Sequence, residues 1–117
     1  MSVQLLRRLF TVDQYYKMLE AGVFTENERV ELIRGEIITM SPMGIRHAGC
    51  VNRLNELFFL RLAQTVTVGI QIPVRLNNNS EPEPDISLLQ RRPDFYETQQ
   101  PQPENVFLLI EVSDTTI

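Results

Sequence analysis

Two carboxylates in this sequence stand where their surroundings do not suit a charge. Glu111 interrupts the apolar run Phe107-Leu108-Leu109-Ile110-Glu111-Val112. An unpaired charge buried there costs roughly several kcal/mol, so a cation, an arginine or exposure at a strand's end must compensate it. Asp85 follows Pro84, whose ring fixes the approach of the backbone, and opens the short apolar run Ile86 to Leu89. If the strands that carry them are neighbours, both carboxylates converge on one divalent ion. A set of oxygen ligands alone suits Mg²⁺ or Mn²⁺ rather than zinc. Each residue also has a plainer reading: Asp85 as a turn or cap residue after proline, Glu111 as a salt-bridged residue at the sheet edge. The pair together marks a candidate site more strongly than either alone.

Glu31 and His47 are the secondary candidates. Glu31 places a charge inside Val30-Glu31-Leu32-Ile33, where it is either a site residue or an ordinary solvent-facing strand residue. His47, the one histidine, opens a long helical pattern, where the positive end of the helix dipole disfavours imidazolium. A neutral ring there can bind a metal, orient a water or cap the helix.

The elements that must position these residues are legible from their periodicity. Val12 to Ala21 is predicted as a helix: Thr11 and Gln14 have capping-box spacing, Phe10 and Tyr15 form a staple, and Gly22 ends it in a left-handed conformation. Arg34-Gly35 between two β-prone runs predicts a hairpin or a bulged strand over Glu31 to Met40. Val51, Leu54, Phe58 and Leu62 recur at helical steps between Arg46 and Ala63, leaving Arg53, Glu56 and Arg61 in water. Thr65 to Leu76 carries Val66, Val68, Ile70, Ile72 and Val74 on one parity, the pattern of a strand with one buried face. After the turn cluster Asn77 to Ser80 come a short strand from Asp85 to Leu89, a polar proline-rich loop, and Val106 to Val112, which reads as a strand buried on both faces. The prediction is an α/β (α+β) domain with a mixed central sheet flanked by helices.

A length of 117 residues suits one small domain spanning 1–117. No apolar stretch is long enough to span a bilayer, and none of signal-peptide length follows Arg7 and Arg8, so a cytoplasmic location is the expectation. A single cysteine, Cys50, excludes an internal disulfide and a paired-thiolate zinc site, and reads as a small apolar helix residue. The net charge of −4 argues against a protein that coats nucleic acid non-specifically, although a metal site needs local carboxylates whose charge the cation reverses. Ten of the eleven basic residues are arginine, and Lys17 is the only lysine. No Gly-rich phosphate loop, flanked serine or cysteine nucleophile, or aromatic-basic interleaving is present, and Arg91-Arg92 reads as a solvated loop.

Four segments occur in order: Val30-Glu31-Leu32-Ile33-Arg34-Gly35-Glu36-Ile37; Met40-Ser41-Pro42 with His47 just after; Pro84-Asp85; and Leu109-Ile110-Glu111-Val112-Ser113. In these the chain resembles the Uma-two family of restriction endonucleases, a branch of the PD-(D/E)XK nuclease superfamily, from about Phe10 onward. The resemblance implies a restriction-endonuclease-like core in which Asp85 and Glu111 hold Mg²⁺, Glu31 is the acidic residue of the first core element, and His47 is the family's histidine. It also implies a lysine near the second acid that helps to orient and deprotonate the attacking water. Two positions after Glu111 stands Ser113 instead, and an arginine is a poor proton acceptor. In the family that lysine lies in a helix after the Glu-Val strand, so the expectation is that the chain, which stops at Ile117, lacks the closing helix and strands. Either the chain is truncated or a partner subunit supplies them. Its uncovered apolar surface then favours a homo-oligomer, a dimer. The function implied is a metal-dependent DNA endonuclease or an inactive derivative. The alternative is a non-catalytic DNA-binding or oligomerisation module.

Overall fold

The computed structural model describes residues 4–113, so the end of the chain at Ile117, to which the expectation of truncation attaches, lies outside the described residues. The elements are α1 (Val12–Glu20), β1 (Val30–Ile33), β2 (Glu36–Thr39), α2 (Ile45–Leu62), β3 (Val66–Ile70), β4 (Ile86–Gln90), a 3-10 turn at Pro103–Asn105, and β5 (Val106–Ile110). The strands form a two-stranded sheet, β1-β2, and a three-stranded sheet ordered β3-β4-β5.

α1 begins as its sequence dictates. The Thr11 hydroxyl accepts the Gln14 N–H while the Gln14 side chain accepts the Thr11 N–H. The helix stops at Gly22, whose φ of 75° an L side chain rarely adopts. α1 then lays Val12 and Tyr15 against Val30 and Leu32 of β1, with Phe10, Tyr16, Phe24 and Ile37 closing the cluster. The β1-β2 turn is made by Arg34 (φ 50°) and Gly35 (φ 80°), the paired positive φ values of a tight hairpin. Gly35 is needed twice over, since a Cβ there would lie 2.8 Å from Leu9 Cβ.

α2 buries the face its periodicity predicts. Val51 packs with Leu54, Phe58 and Leu62 onto Ile86, Leu88, Val66, Val68 and Ile110 of the larger sheet, and Arg53, Glu56 and Arg61 are exposed. Burying this apolar face is the main term holding helix to sheet, at roughly 25 cal/mol for each Å² removed from water. The Asn77–Ser80 turn joins the two halves. The carbonyl of Asn78 accepts the Val12 N–H (2.7 Å), that of Asn79 accepts the Gly35 N–H (2.8 Å), and Ser80 Oγ accepts the Arg34 N–H (2.8 Å).

The α+β class is as expected, and three details differ. Every strand pairing is antiparallel rather than mixed. Parallel neighbours need a crossover of a dozen residues or more, and the segments joining β3 to β4 and β4 to β5 instead return to the edge they left. The predicted strand from Thr65 to Leu76 ends at Ile70, because Gln71 adopts φ 53° and Pro73 has no N–H to donate to a ladder. Finally, β5 is not buried on both faces: Phe107 is 65% and Leu108 44% exposed. β5 is an edge strand, and β4 is the strand that lies buried along its length, from Ile86 through Leu89.

Candidate metal centre

Strand register brings the two carboxylates together. Ile86 pairs with Ile70 on one side and with Ile110 on the other. One step beyond that row, the same antiparallel registers bring Gln71, Asp85 and Glu111 level at one end of the sheet. The backbone continues the ladder there, the Gln71 N–H donating to the Asp85 carbonyl at 3.2 Å. The condition set by the sequence, that the strands carrying Asp85 and Glu111 be neighbours, is met.

The lead-in to β4 brings Glu31 alongside. Glu81-Pro82-Glu83-Pro84 has only two backbone N–H donors, because proline has none. Glu81 N–H donates to the carbonyl of Leu32 (2.7 Å), and Glu83 N–H to the Glu31 carboxylate (2.9 Å). The segment is thereby stitched to β1, and Glu31 lies at the same cleft as Asp85. Arg29 pairs with Glu83 at 3.5 Å on the cleft's rim.

α2 supplies His47 from its first turn. The ring Nε2 lies 2.9 Å from Asp85 Oδ1. Asp85 is almost fully buried, at 5% exposure. Burial alone would raise its pKa, but this is outweighed by the Val112 N–H (2.8 Å to Oδ2), His47 and the Gln71 amide (3.3 Å to Oδ1), so the carboxyl is held below the usual range. An ionised carboxylate only accepts hydrogen bonds. His47 Nε2–H is therefore the donor in this contact.

Glu111 is the opposite case. It stands just past the end of β5 and is exposed, so strand-end exposure is part of what makes its charge tolerable. Even so, desolvation and the nearby charges of Asp85 and Glu31 push its pKa up to about 7, with His47 acting weakly the other way. Two carboxylates at one sheet end, one held ionised and one driven toward protonation, concentrate a negative field there.

These residues line one cleft of about 460 Å³, together with Arg29, the Met40–Gly44 turn, Gln71, Val112 and Ser113. Glu31, His47, Asp85 and Glu111 thus meet at one place. Among the described residues, however, no three His, Cys, Asp or Glu side chains are gathered closely enough to form a ready-made cage. The donor set fits Mg²⁺ in its usual manner, held by one or two carboxylates with water and substrate oxygens completing the shell. Asp85 Oδ2 accepts one hydrogen bond and keeps a lone pair for such a role, whereas Oδ1 already accepts two.

Sequence reasoning missed Gln71. It lies within a β-branched run that reads as one continuous strand, and only Pro73 hints at the break that turns its amide onto Asp85. Lys17 lies on α1 and is not among the residues lining the cleft. The loop arginines have local roles, as expected: Arg92 pairs with Asp94 and Arg91 donates to the carbonyl of Ala63. Among the described residues, no helix is long and apolar enough to cross a membrane.

No curated protein matches the chain. The family model Uma2, described as "Putative restriction endonuclease", matches residues 12–116, which include the hairpin, both helices and every residue of the cleft. The chain belongs to the Uma2 restriction-endonuclease family.

Proposed function

We propose that this chain carries the metal site of a DNA endonuclease that hydrolyses phosphodiester bonds with Mg²⁺ or Mn²⁺, Asp85 and Glu111 being the ligands. The observation that carries the reading is the level placement of Asp85 and Glu111 at one sheet end, with Glu31 and His47 on the same cleft. A divalent ion bound there supplies Lewis-acid stabilisation of the charge that builds on the scissile phosphate, and lowers the pKa of water. The protein's own residues do the rest. Asp85 is held ionised and oriented by His47, Gln71 and the Val112 N–H. Glu111 gives up its proton when a cation neutralises the field that raises it. Glu31 ties the β4 lead-in to β1 through the Glu83 N–H and adds negative charge at the cleft. His47, with Nε2–H committed to Asp85, presents Nδ1 as the proton acceptor, in a cleft with no lysine among its lining residues.

Calorimetry with Mn²⁺ tests the ligand assignment: one site is expected, lost in Asp85→Ala, and binding unchanged by that substitution refutes it. Incubation of supercoiled plasmid with Mg²⁺ or Mn²⁺ tests turnover. Weak or no nicking is expected, because the cleft has no lysine to activate water.

A second reading is favoured by that same absence: a non-catalytic DNA-binding or oligomerisation module that keeps the fold. The exposed Phe107 and Leu108 on the edge strand support self-association into a dimer. Light scattering that gives a monomer mass at every concentration rules the dimer out.

A further inference from the structure

Beside the carboxylate cleft runs a second groove of about 530 Å³, lined by Ile45, Arg46, Gly49, Cys50 and Arg53 of α2 and sharing His47, Val112 and Ser113 with the cleft. Its charge is the reverse of its neighbour's. Among the described residues no Asp or Glu lines it, in a chain whose net charge is −4. Its two arginines are also unlike most others in the molecule. Arg7, Arg29, Arg75 and Arg92 each pair with a carboxylate, and Arg91 donates to a carbonyl. Arg46 and Arg53 have no ion-pair or hydrogen-bond partner among the described residues, and both are exposed. A Cβ on Gly49 would lie 3.9 Å from the Arg53 guanidinium, so the side chain runs back along the helix toward Arg46.

Spacing gives the pair a direction. Residues seven apart return to one helix face, and at 1.5 Å rise per residue they stand about 10 Å apart along the axis. Two unpaired guanidinium forks on one helix face, leading into the carboxylate cleft, suit bidentate contacts to phosphates of one strand.

We propose that the α2 groove is the track for the phosphodiester backbone flanking the scissile bond, with Arg46 and Arg53 as its phosphate contacts. This deepens, and rests on, the DNA-endonuclease reading. The track explains how a net-acidic chain holds a polyanion beside its own carboxylates: attraction is confined to one helix face.

The test is fluorescence anisotropy of a short DNA duplex of mixed sequence, with Ca²⁺ filling the cleft, over a range of salt. The proteins compared are the wild-type chain, Arg46→Gln, Arg53→Gln, the double variant, and Arg61→Gln as an exposed arginine of the same helix outside the groove. Each groove substitution is expected to lower the slope of log Kd against log salt by about 1, the double by about 2, and Arg61→Gln not at all. The groove variants should bind Mn²⁺ as the wild type does. Cys50, lying between the two arginines, should be alkylated by iodoacetamide more slowly when duplex is bound. Wild-type binding with unchanged slopes in the groove variants, or unprotected Cys50 at saturating duplex, overturns the track alone. No duplex binding by the wild type overturns the DNA reading and the track with it. Displacement of duplex by polyglutamate at equal charge concentration overturns the phosphate assignment in favour of an acidic protein partner.

Discussion

Substituting Glu111 by glutamine should make the metal-free protein more stable while removing its response to metal. Glu111 has its pKa raised from the ordinary 4.5 to about 7, chiefly by desolvation and then by Asp85 and Glu31. The unfolded chain loses this proton near the ordinary value, whereas the folded chain holds it until about 7. Stability therefore falls as pH rises through that window, and the full penalty applies above it. At about 1.4 kcal/mol per pH unit the gap has an upper limit of ~3.5 kcal/mol. Glu111 is exposed, so solvent screening reduces this to about 1 kcal/mol. For a chain of 117 residues that corresponds to a Tm higher by about 4 °C. Thermal unfolding by circular dichroism at pH 8 and pH 4.5 measures it. Glu111→Gln should melt above the wild type at pH 8 and with it at pH 4.5. Added Mn²⁺ at pH 8 should raise the wild-type Tm and leave the variant's unchanged. A variant no more stable than the wild type at pH 8, or with the same advantage at both pH values, refutes a destabilising Glu111 charge.

Three other outcomes follow from particular contacts. Gln71→Gly keeps the left-handed backbone at φ 53° but removes the amide 3.3 Å from Asp85, so Mn²⁺ affinity by calorimetry should fall by about tenfold or more with little loss of Tm. Gly69→Ala puts a Cβ 2.5 Å from Ser87 Oγ and 2.8 Å from Ile72 Cδ1, in the middle of the β3-β4 ladder, and urea unfolding should show a loss of about 1–3 kcal/mol. Tyr16→Phe takes one of two donors from Glu81, which is 3% exposed and otherwise held by Gln100, so stability should drop by about 1–3 kcal/mol, measured in the same way.

Local patterns told most where one element decides its own structure. The capping box of α1, the Arg34-Gly35 hairpin and the Val51, Leu54, Phe58, Leu62 face of α2 were all legible, because each is dictated by spacing within a few residues. Asp85 and Glu111 stood out because each charge sat against apolar or proline neighbours. What the sequence hid were pairings between distant segments. That Ile86 lies between Ile70 and Ile110, and so brings Gln71, Asp85 and Glu111 level, is a matter of register that no single strand contains. The apolar run of β5 suggested burial on both faces, yet apolarity cannot say whether a strand has a neighbour on each side, and here β5 is an edge. The break at Gln71 was concealed because β-branched alternation continues through Ile72 and Val74 after the ladder has ended.

Asp85 and Glu111 are proposed to form one cation site, with Glu31 and His47 on its rim. Paramagnetic broadening of amide resonances by substoichiometric Mn²⁺ tests it most directly, because it reports place as well as binding. Signals from Glu31, His47, Gln71, Glu111 and Val112 should be lost selectively at low Mn²⁺ and restored in Asp85→Ala. Broadening centred on other acidic residues, or the same pattern persisting in Asp85→Ala, would contradict it.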